Sequence, residues 1–314
     1  MPNEKVNKNV TLNLKNLIGS VFSAEDVPDK LKIIRERKEL AQEYTWIYHC
    51  TTASIIKNIL RSREFWLSNL CLVNDKEEVG RIDVPMYEKE YYVGCFSYTS
   101  EIPEEHWKEY GHIEDGILLA VKPQWFLREA VFIDAEGKKF NGEDFVIKEN
   151  LEQACSCSIA AQRENCRINP FYINAFNFYQ IIYDDQLKKN IAGNVMAKID
   201  GVDYPGRSHT PEIVGIIKSM RGTCQRDGKV AYEKDWSTEK EIRLKVHIQQ
   251  WNQSYDEYEK PTMPRASFPK IAVPLSSEAF DEIKIKFSPL FRDKENFINE
   301  IKQLMPNSKL EIFD

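Results

Sequence analysis

Residues 235–249, DWSTEKEIRLKVHIQ, are the stretch from which the fold is read. Ile242, Leu244, Val246 and Ile248 recur at every second position, a period that predicts a β-strand with one apolar face turned inward. The other face carries Glu239, Glu241, Arg243, Lys245 and His247 in a row. Turned to solvent, that row is an ordinary polar strand surface. Along a cleft it sets two acids and a fixed cation beside a ligand, with Trp236 as a wall. The strand alone is compatible with both, so the partners must come from elsewhere in the chain.

Working back toward the N-terminus, the chain alternates short β-rich runs with helical patterns. WIYHCTT (46–52), EFWLSN (64–69), YYVGCFSYTS (91–100) and GILLAVKP (116–123) read as strands. A helix starts near Asp26 or Pro28, with Leu31, Ile34 and Leu40 at helical spacing, and another, capped by Thr52, buries Ile55, Ile56, Ile59 and Leu60. LCLVNDKEEVG (70–80) is expected to be a loop turning into a helix, with Asn74, Asp75 and Glu78 at its start. Between Asp134 and Pro205 the pattern changes. QACSCSIAAQRENCR and FYINAFNFYQIIYDDQLKK suggest helices, so a helical insertion is expected at about 134–205. IVGIIKSMR (213–221) fits strand or helix. KIAVPL and EIKIKFSP, a helix burying Phe297, Ile298, Ile301 and Leu304, and a last strand LEIF follow. The expected organisation is an N-terminal arm and helix over 1–45 and one α+β domain over 46–314.

Composition narrows the class. With 42% hydrophobic and 29% charged residues, the 314-residue chain has material for a substantial core. A net charge of −6 argues against broad binding to nucleic acid or anionic lipid. Lys218, Arg221, Arg226 and Lys229 make a local basic cluster, read as a groove or a solvated loop. No apolar run reaches the roughly 20 residues of a membrane helix, and residues 1–16 lack the apolar core of a signal peptide, so a cytoplasmic, membrane-free protein is expected. The seven cysteines are odd in number and scattered. Cys155, Cys157 and Cys166 lack C-x-x-C spacing and a well-placed His, so reduced thiols and no metal are expected.

Phosphate loops, dinucleotide-binding glycine turns, H-E-x-x-H and G-x-S-x-G are all absent. Among five histidines, His49 shares a strand face with Thr51, a pair able to grip ribose hydroxyls or to serve only as strand residues. Asn74 and Asp75 are either helix caps or ligand contacts. Ser97 can face either side of its strand. Trp107 and Tyr110, three apart, form a stacking platform if exposed and core if not.

The order of these pieces is informative. It runs Tyr48-His49-x-Thr51, Phe65-Trp66-Leu67-Ser68-Asn69, Asn74-Asp75-x-x-Glu78, Cys95-Phe96-Ser97, Trp107-x-x-Tyr110, Gly116 and Trp236-x-x-Glu239-x-Glu241-x-Arg243. This series resembles the bacterial family called "domain of unknown function 2971" from about Tyr48 to the end. The chain departs from that pattern in a long segment after Gly116, in Cys50 where an aromatic is usual, and in Lys76 where proline is usual. The family's opening motif and closing acidic strand are similar to those of ADP-ribosyltransferases that modify nucleic acids. The resemblance implies a split antiparallel sheet with flanking helices and NAD as substrate. It implies that His49 holds a ribose and that Glu241, or else Glu239, promotes loss of nicotinamide. Arg243 would keep Glu241 ionised or touch a pyrophosphate, and Trp66, Trp107 or Tyr110 would stack on nicotinamide or adenine. The setting implied is a bacterial toxin or phage-defence effector with a nucleic-acid or protein acceptor and an antitoxin partner. Two other readings use the same residues: a nucleotide- or partner-sensing module without turnover, and an RNA-processing enzyme indifferent to NAD.

Overall fold

The computed structural model describes residues 26–73, 91–139, 146–149, 171–187, 195–199, 202–206, 215–224, 232–250 and 268–314. The first half contains α1 (Asp26–Gln42), β1 (Ile47–Thr52), α2 (Ala53–Ser62), β2 (Glu64–Asn69), β3 (Tyr91–Ser97), β4 (Gly116–Val121), β5 (Glu129–Ile133) and β6 (Ile147–Lys148). Then come β7 (Phe171–Gln180), β8 (Ile182–Tyr183), β9 (Val195–Ile199), β10 (Val202–Gly206), β11 (Ile217–Lys218), β12 (Arg221–Cys224) and β13 (Tyr232–Asp235). The chain closes with β14 (Glu241–Gln250), β15 (Lys270–Pro274), β16 (Glu282–Phe287), α3 (Lys294–Leu304) and β17 (Lys309–Ile312). The result is a mixed α+β fold built on a large, mostly antiparallel open sheet. No helix among the described residues is long and apolar enough to cross a membrane.

The main sheet runs β17-β16-β4-β1-β3-β2-β15-β5-β6, with β14 and then β7 joined at β3. Three strands therefore meet β3, which has only two edges. β14 takes one edge along its whole length, from Glu241 opposite Ser97 to His247 opposite Tyr91. The other edge is shared. β1 touches it at one end, Tyr48 opposite Ser97, and β2 at the other, Ser68 opposite Val93 and Asn69 opposite Tyr92. Gly94, Cys95 and Phe96 lie between, where β1 and β2 part. The sheet is split at that point, and a recess opens over the middle of β3.

β14 is the strand that the alternating pattern predicts, with one difference at its start. Ile242, Leu244 and Val246 are fully buried in the main core. The strand begins at Glu241, because Trp236–Glu239 form a 3₁₀ turn and Lys240 adopts a left-handed backbone with φ 47°. Glu239 thus reaches the site from a turn and not from the strand face. The charged face is also enclosed: Glu241, Arg243 and Lys245 are no more than 3% exposed. It is not a solvated surface.

The expected helical insertion is overturned for the residues described. Phe171–Gln180 is a strand paired along β14, and β9 and β10 form an antiparallel pair. Ile173, Phe176 and Tyr179 are the deeply buried positions of β7, a spacing of three that mimics a helix. The cause is a register shift in the ladder with β14, which skips Asn174 between Ile173 and Ala175, together with α1 packing on β7. A bulge changes which face a residue presents, and a strand covered on both sides loses its simple alternation. The cysteine-rich segment, with Cys155, Cys157 and Cys166, lies outside the described residues.

Candidate functional site

The recess over β3 is a pocket of about 290 Å³, bordered by residues from β1, β2, β3, β11, β14 and the two helical turns near Tyr110 and Trp236. That volume is at the lower end of the range for small-molecule sites, roughly 300–1,000 Å³.

His49 sits at the split. Its Nδ1 lies 3.0 Å from the Cys95 carbonyl oxygen, on the stretch of β3 that neither β1 nor β2 pairs. A carbonyl can only accept, so Nδ1 carries the hydrogen and Nε2 is left as an acceptor. The ring packs edge-on to Phe65, with centroids 4.8 Å apart. Burial pushes its pKa down to about 4, against the opposing pull of the Cys95 hydrogen bond. The imidazole is therefore neutral at neutral pH.

Across the pocket a charged cluster is built almost without solvent. Lys218 Nζ donates to Glu239 Oε2 at 3.1 Å and to Glu241 Oε2 at 3.0 Å. Arg243 Nε donates to Glu241 Oε1 at 2.8 Å, and another of its nitrogens donates to the Gly215 carbonyl at 2.9 Å. Glu239 Oε1 accepts from the Tyr110 hydroxyl at 2.5 Å and from Lys234 Nζ at 2.8 Å. Lys234 also pairs with Glu109. Both ammonium groups stand over the Trp236 ring, at 4.6 Å for Lys218 and 4.7 Å for Lys234, within cation–π range. Three cations face three carboxylates, which is how charges this deep are tolerated.

The two central acids differ in electrostatics. Burial raises the pKa of Glu239, but Lys218 and Lys234, with hydrogen bonds from Lys234 and Tyr110, outweigh it and hold the group down at about 2. For Glu241 burial prevails. It lifts the pKa above the ordinary glutamate value with help from Glu239, while Lys218 and the Cys95 thiol pull it back. A perturbed acid in a cleft is the usual mark of a reactive group, although structural ion pairs perturb acids too.

The structure brings seven of the proposed residues to this one pocket: His49, Trp66, Ser97, Tyr110, Glu239, Glu241 and Arg243. Trp66 stands at the rim, 42% exposed, with Lys270 Nζ 5.7 Å from its ring centre. Ser97 is buried, with its hydroxyl turned toward the Lys240 carbonyl at 3.5 Å. Two proposed residues are placed elsewhere. Thr51 is buried opposite Ile117 in the β1–β4 ladder and does not border the pocket. Trp107 is core and no stacking platform, because its ring packs where Cβ atoms on Gly111 or Gly116 would lie, 3.2 Å and 2.9 Å away. Asn74, Asp75 and Glu78 lie outside the described residues, as do Arg226 and Lys229. Lys218, read as part of an exposed basic cluster, is 3% exposed and belongs to the acid pair.

Four site residues were not singled out as site residues from the sequence. Lys218 ends the apolar run IVGII, a place where a lysine needs a buried partner. Lys234 precedes the 3₁₀ turn by two residues and carries no such cue. His106 packs against Tyr110 with the rings tilted and centroids 4.6 Å apart, and its pKa falls to about 4 through burial, with Glu239 opposing and Lys234 adding. Cys95 opens onto the pocket, and burial together with neighbouring Glu241 holds its thiol well above the ordinary range, so it rests protonated. Among the described residues no group of three His, Cys, Asp or Glu side chains is arranged to hold a metal ion. No family model, curated protein or solved structure matches this chain.

Proposed function

We propose that this chain is an NAD-dependent ADP-ribosyltransferase-like enzyme of the bacterial toxin or phage-defence kind, acting on nucleic acid or protein. The observation that carries the reading is the convergence of His49 from β1 and Glu241 from β14, nearly two hundred residues apart, on one pocket at the split of an antiparallel sheet. In the proposed reaction the bond from ribose C1′ to nicotinamide nitrogen breaks, and nicotinamide leaves with the bonding electrons. Positive charge develops on the sugar, as in glycoside cleavage. Glu241, held by Arg243 and Lys218, stabilises that charge from a fixed position. His49 Nε2 accepts a hydrogen bond from a ribose hydroxyl, and Trp66 at the rim offers a face for a planar ring. The acceptor nucleophile then bonds to C1′ and gives up its proton to solvent water. An antitoxin is the expected partner. The test is nicotinamide release followed by mass spectrometry, with wild-type protein and Glu241→Gln. The variant should fold and lose about 10² to 10³ in rate; equal rates would end the assignment.

A second reading is favoured by one observation: both oxygens of Glu241 are already occupied, Oε1 by Arg243 and Oε2 by Lys218. That saturation suits a structural ion-pair network in a nucleotide- or partner-sensing module. Calorimetric binding of NAD or ADP-ribose without nicotinamide release would favour it.

A further inference from the structure

We propose that Lys218 is a positioning residue of the site, whose ammonium bridges Glu239 and Glu241 and so allows two carboxylates to stand side by side in one wall. The proposal rests on the ADP-ribosyltransferase-like reading for what Glu241 does, and on the geometry for what Lys218 does.

Two acids that share one site are normally forced apart in protonation, because like charges at short range cannot both persist in a buried place. Here a third group separates them. Lys218 comes from β11, a two-residue strand held parallel to β8 through Ile217 opposite Ile182 and Lys218 opposite Tyr183. From there the side chain reaches both acids at 3.0–3.1 Å and rests on Trp236. The charged and titratable groups around it include Glu239, Glu241, Tyr183, Cys95 and Tyr110, with Lys234 over the same Trp236 ring. The Tyr183 hydroxyl accepts from the Glu241 backbone N–H at 3.3 Å, so β8, the strand paired with β11, contacts the start of β14. Lys218 and its two acids are all under 10% exposed, although all three border the pocket.

The two acids share Lys218 but differ in their other partners. Glu239 is tied on both oxygens to the wall by Lys234, Tyr110 and Lys218. Glu241 touches the Cys95 thiol, which opens onto the pocket. Both acids border the pocket, and Glu241 depends on Lys218 and Arg243 to be charged there. Without Lys218 its proton should be retained to higher pH, since an opposing charge within about 4–6 Å favours the ionised form by 1–3 pH units.

The experiment compares wild type with Lys218→Met, Lys218→Gln and Lys218→Arg. The ¹³C resonances of glutamate carboxyls are followed against pH in labelled protein, with Glu241→Gln identifying the Glu241 signal. The rate profile with NAD is recorded in parallel. The expected result is that Lys218→Met and Lys218→Gln move the Glu241 titration, and the acid limb of the rate, up by about one pH unit or more. Lys218→Arg should restore both toward wild type. A folded Lys218→Met or Lys218→Gln protein with an unmoved Glu241 titration overturns the proposal. It is also overturned if neither neutral variant folds while Lys218→Arg does, since Lys218 would then be structural only. If no folded form turns over NAD, the functional reading falls, while the NMR titration still decides the role of Lys218.

Discussion

Arg243→Met is the perturbation whose size the structure constrains best. The guanidinium is 1% exposed, bonds Glu241 at 2.8 Å and the Gly215 carbonyl at 2.9 Å, and lies in the strand at the centre of the β3–β14–β7 ladder. Methionine retains much of the apolar stem, so the change isolates the charge and its donors. Removing one side of a buried pair typically costs about 3–5 kcal/mol, because the other charge stays behind uncompensated. Lys218 still holds the second oxygen of Glu241, which places the expected cost at the lower end of that range. Depriving the Gly215 carbonyl of this donor adds about 1 kcal/mol or more. We expect a loss of about 4 kcal/mol, a large share of the 5–15 kcal/mol that is usual for folded proteins. Urea unfolding followed by circular dichroism reads it directly as a lower midpoint at unchanged slope. Adding Glu241→Gln should recover part of the loss, with a coupling energy of about 1–3 kcal/mol, since the stranded charge is then gone. A single-variant cost under about 1 kcal/mol, or strict additivity in the cycle, would show that Glu241 does not rely on Arg243.

Other consequences are quicker to test. Tyr110→Phe removes the 2.5 Å hydrogen bond to Glu239 and should cost about 1.5–3 kcal/mol in urea unfolding, the range for a bond to a charged acceptor. It should also raise the Glu239 pKa above its depressed value, because one of the donors that lower it is lost. His49 and His106 both have native pKa values near 4, below the unfolded value of 6.5. Between those limits the unfolded chain binds protons that the native chain does not, so their contribution to stability rises with pH from 4 to 6.5 and is lost on acidification. Replacing both with Asn should flatten the slope of unfolding free energy by about 2.5 kcal/mol per pH unit near pH 5. An unchanged slope would mean that these rings are not held neutral. Carboxylates act partly in the same window: depressed Glu239 adds stability above its native value that disappears toward pH 2, and raised Glu241 opposes it as pH rises. The histidine variants are compared with wild type to remove both.

How much of this was legible beforehand depended on how local the signal was. β2 and β14 were readable because a strand with one buried face writes a period of two into a few neighbouring residues, and β1, β3 and β4 because they are short runs of β-forming residues between turns. α2, α3 and the last strand were readable for the same kind of reason. β7 was misread as a helix, since its register shift and double covering spread the buried positions to a spacing of three. Glu239 was assigned to the wrong element because the left-handed Lys240, between it and β14, leaves no mark in an alternation of charges. Trp107 was offered as core or platform, and only its neighbours Gly111 and Gly116 settle that it is core.

Sequence by itself determined the mixed α+β character, the core face of β14 and the candidate residues His49, Glu241 and Arg243, because apolar period and residue chemistry are properties of short stretches. Tertiary structure alone decided that β1 and β2 part over Cys95, that Lys218 and Lys234 close the charged wall, and that Thr51 and Trp107 stay outside the pocket. Those facts follow from strand register and from contacts between distant segments. A cavity belongs to no single stretch of chain, so its lining is set only when the strands have paired.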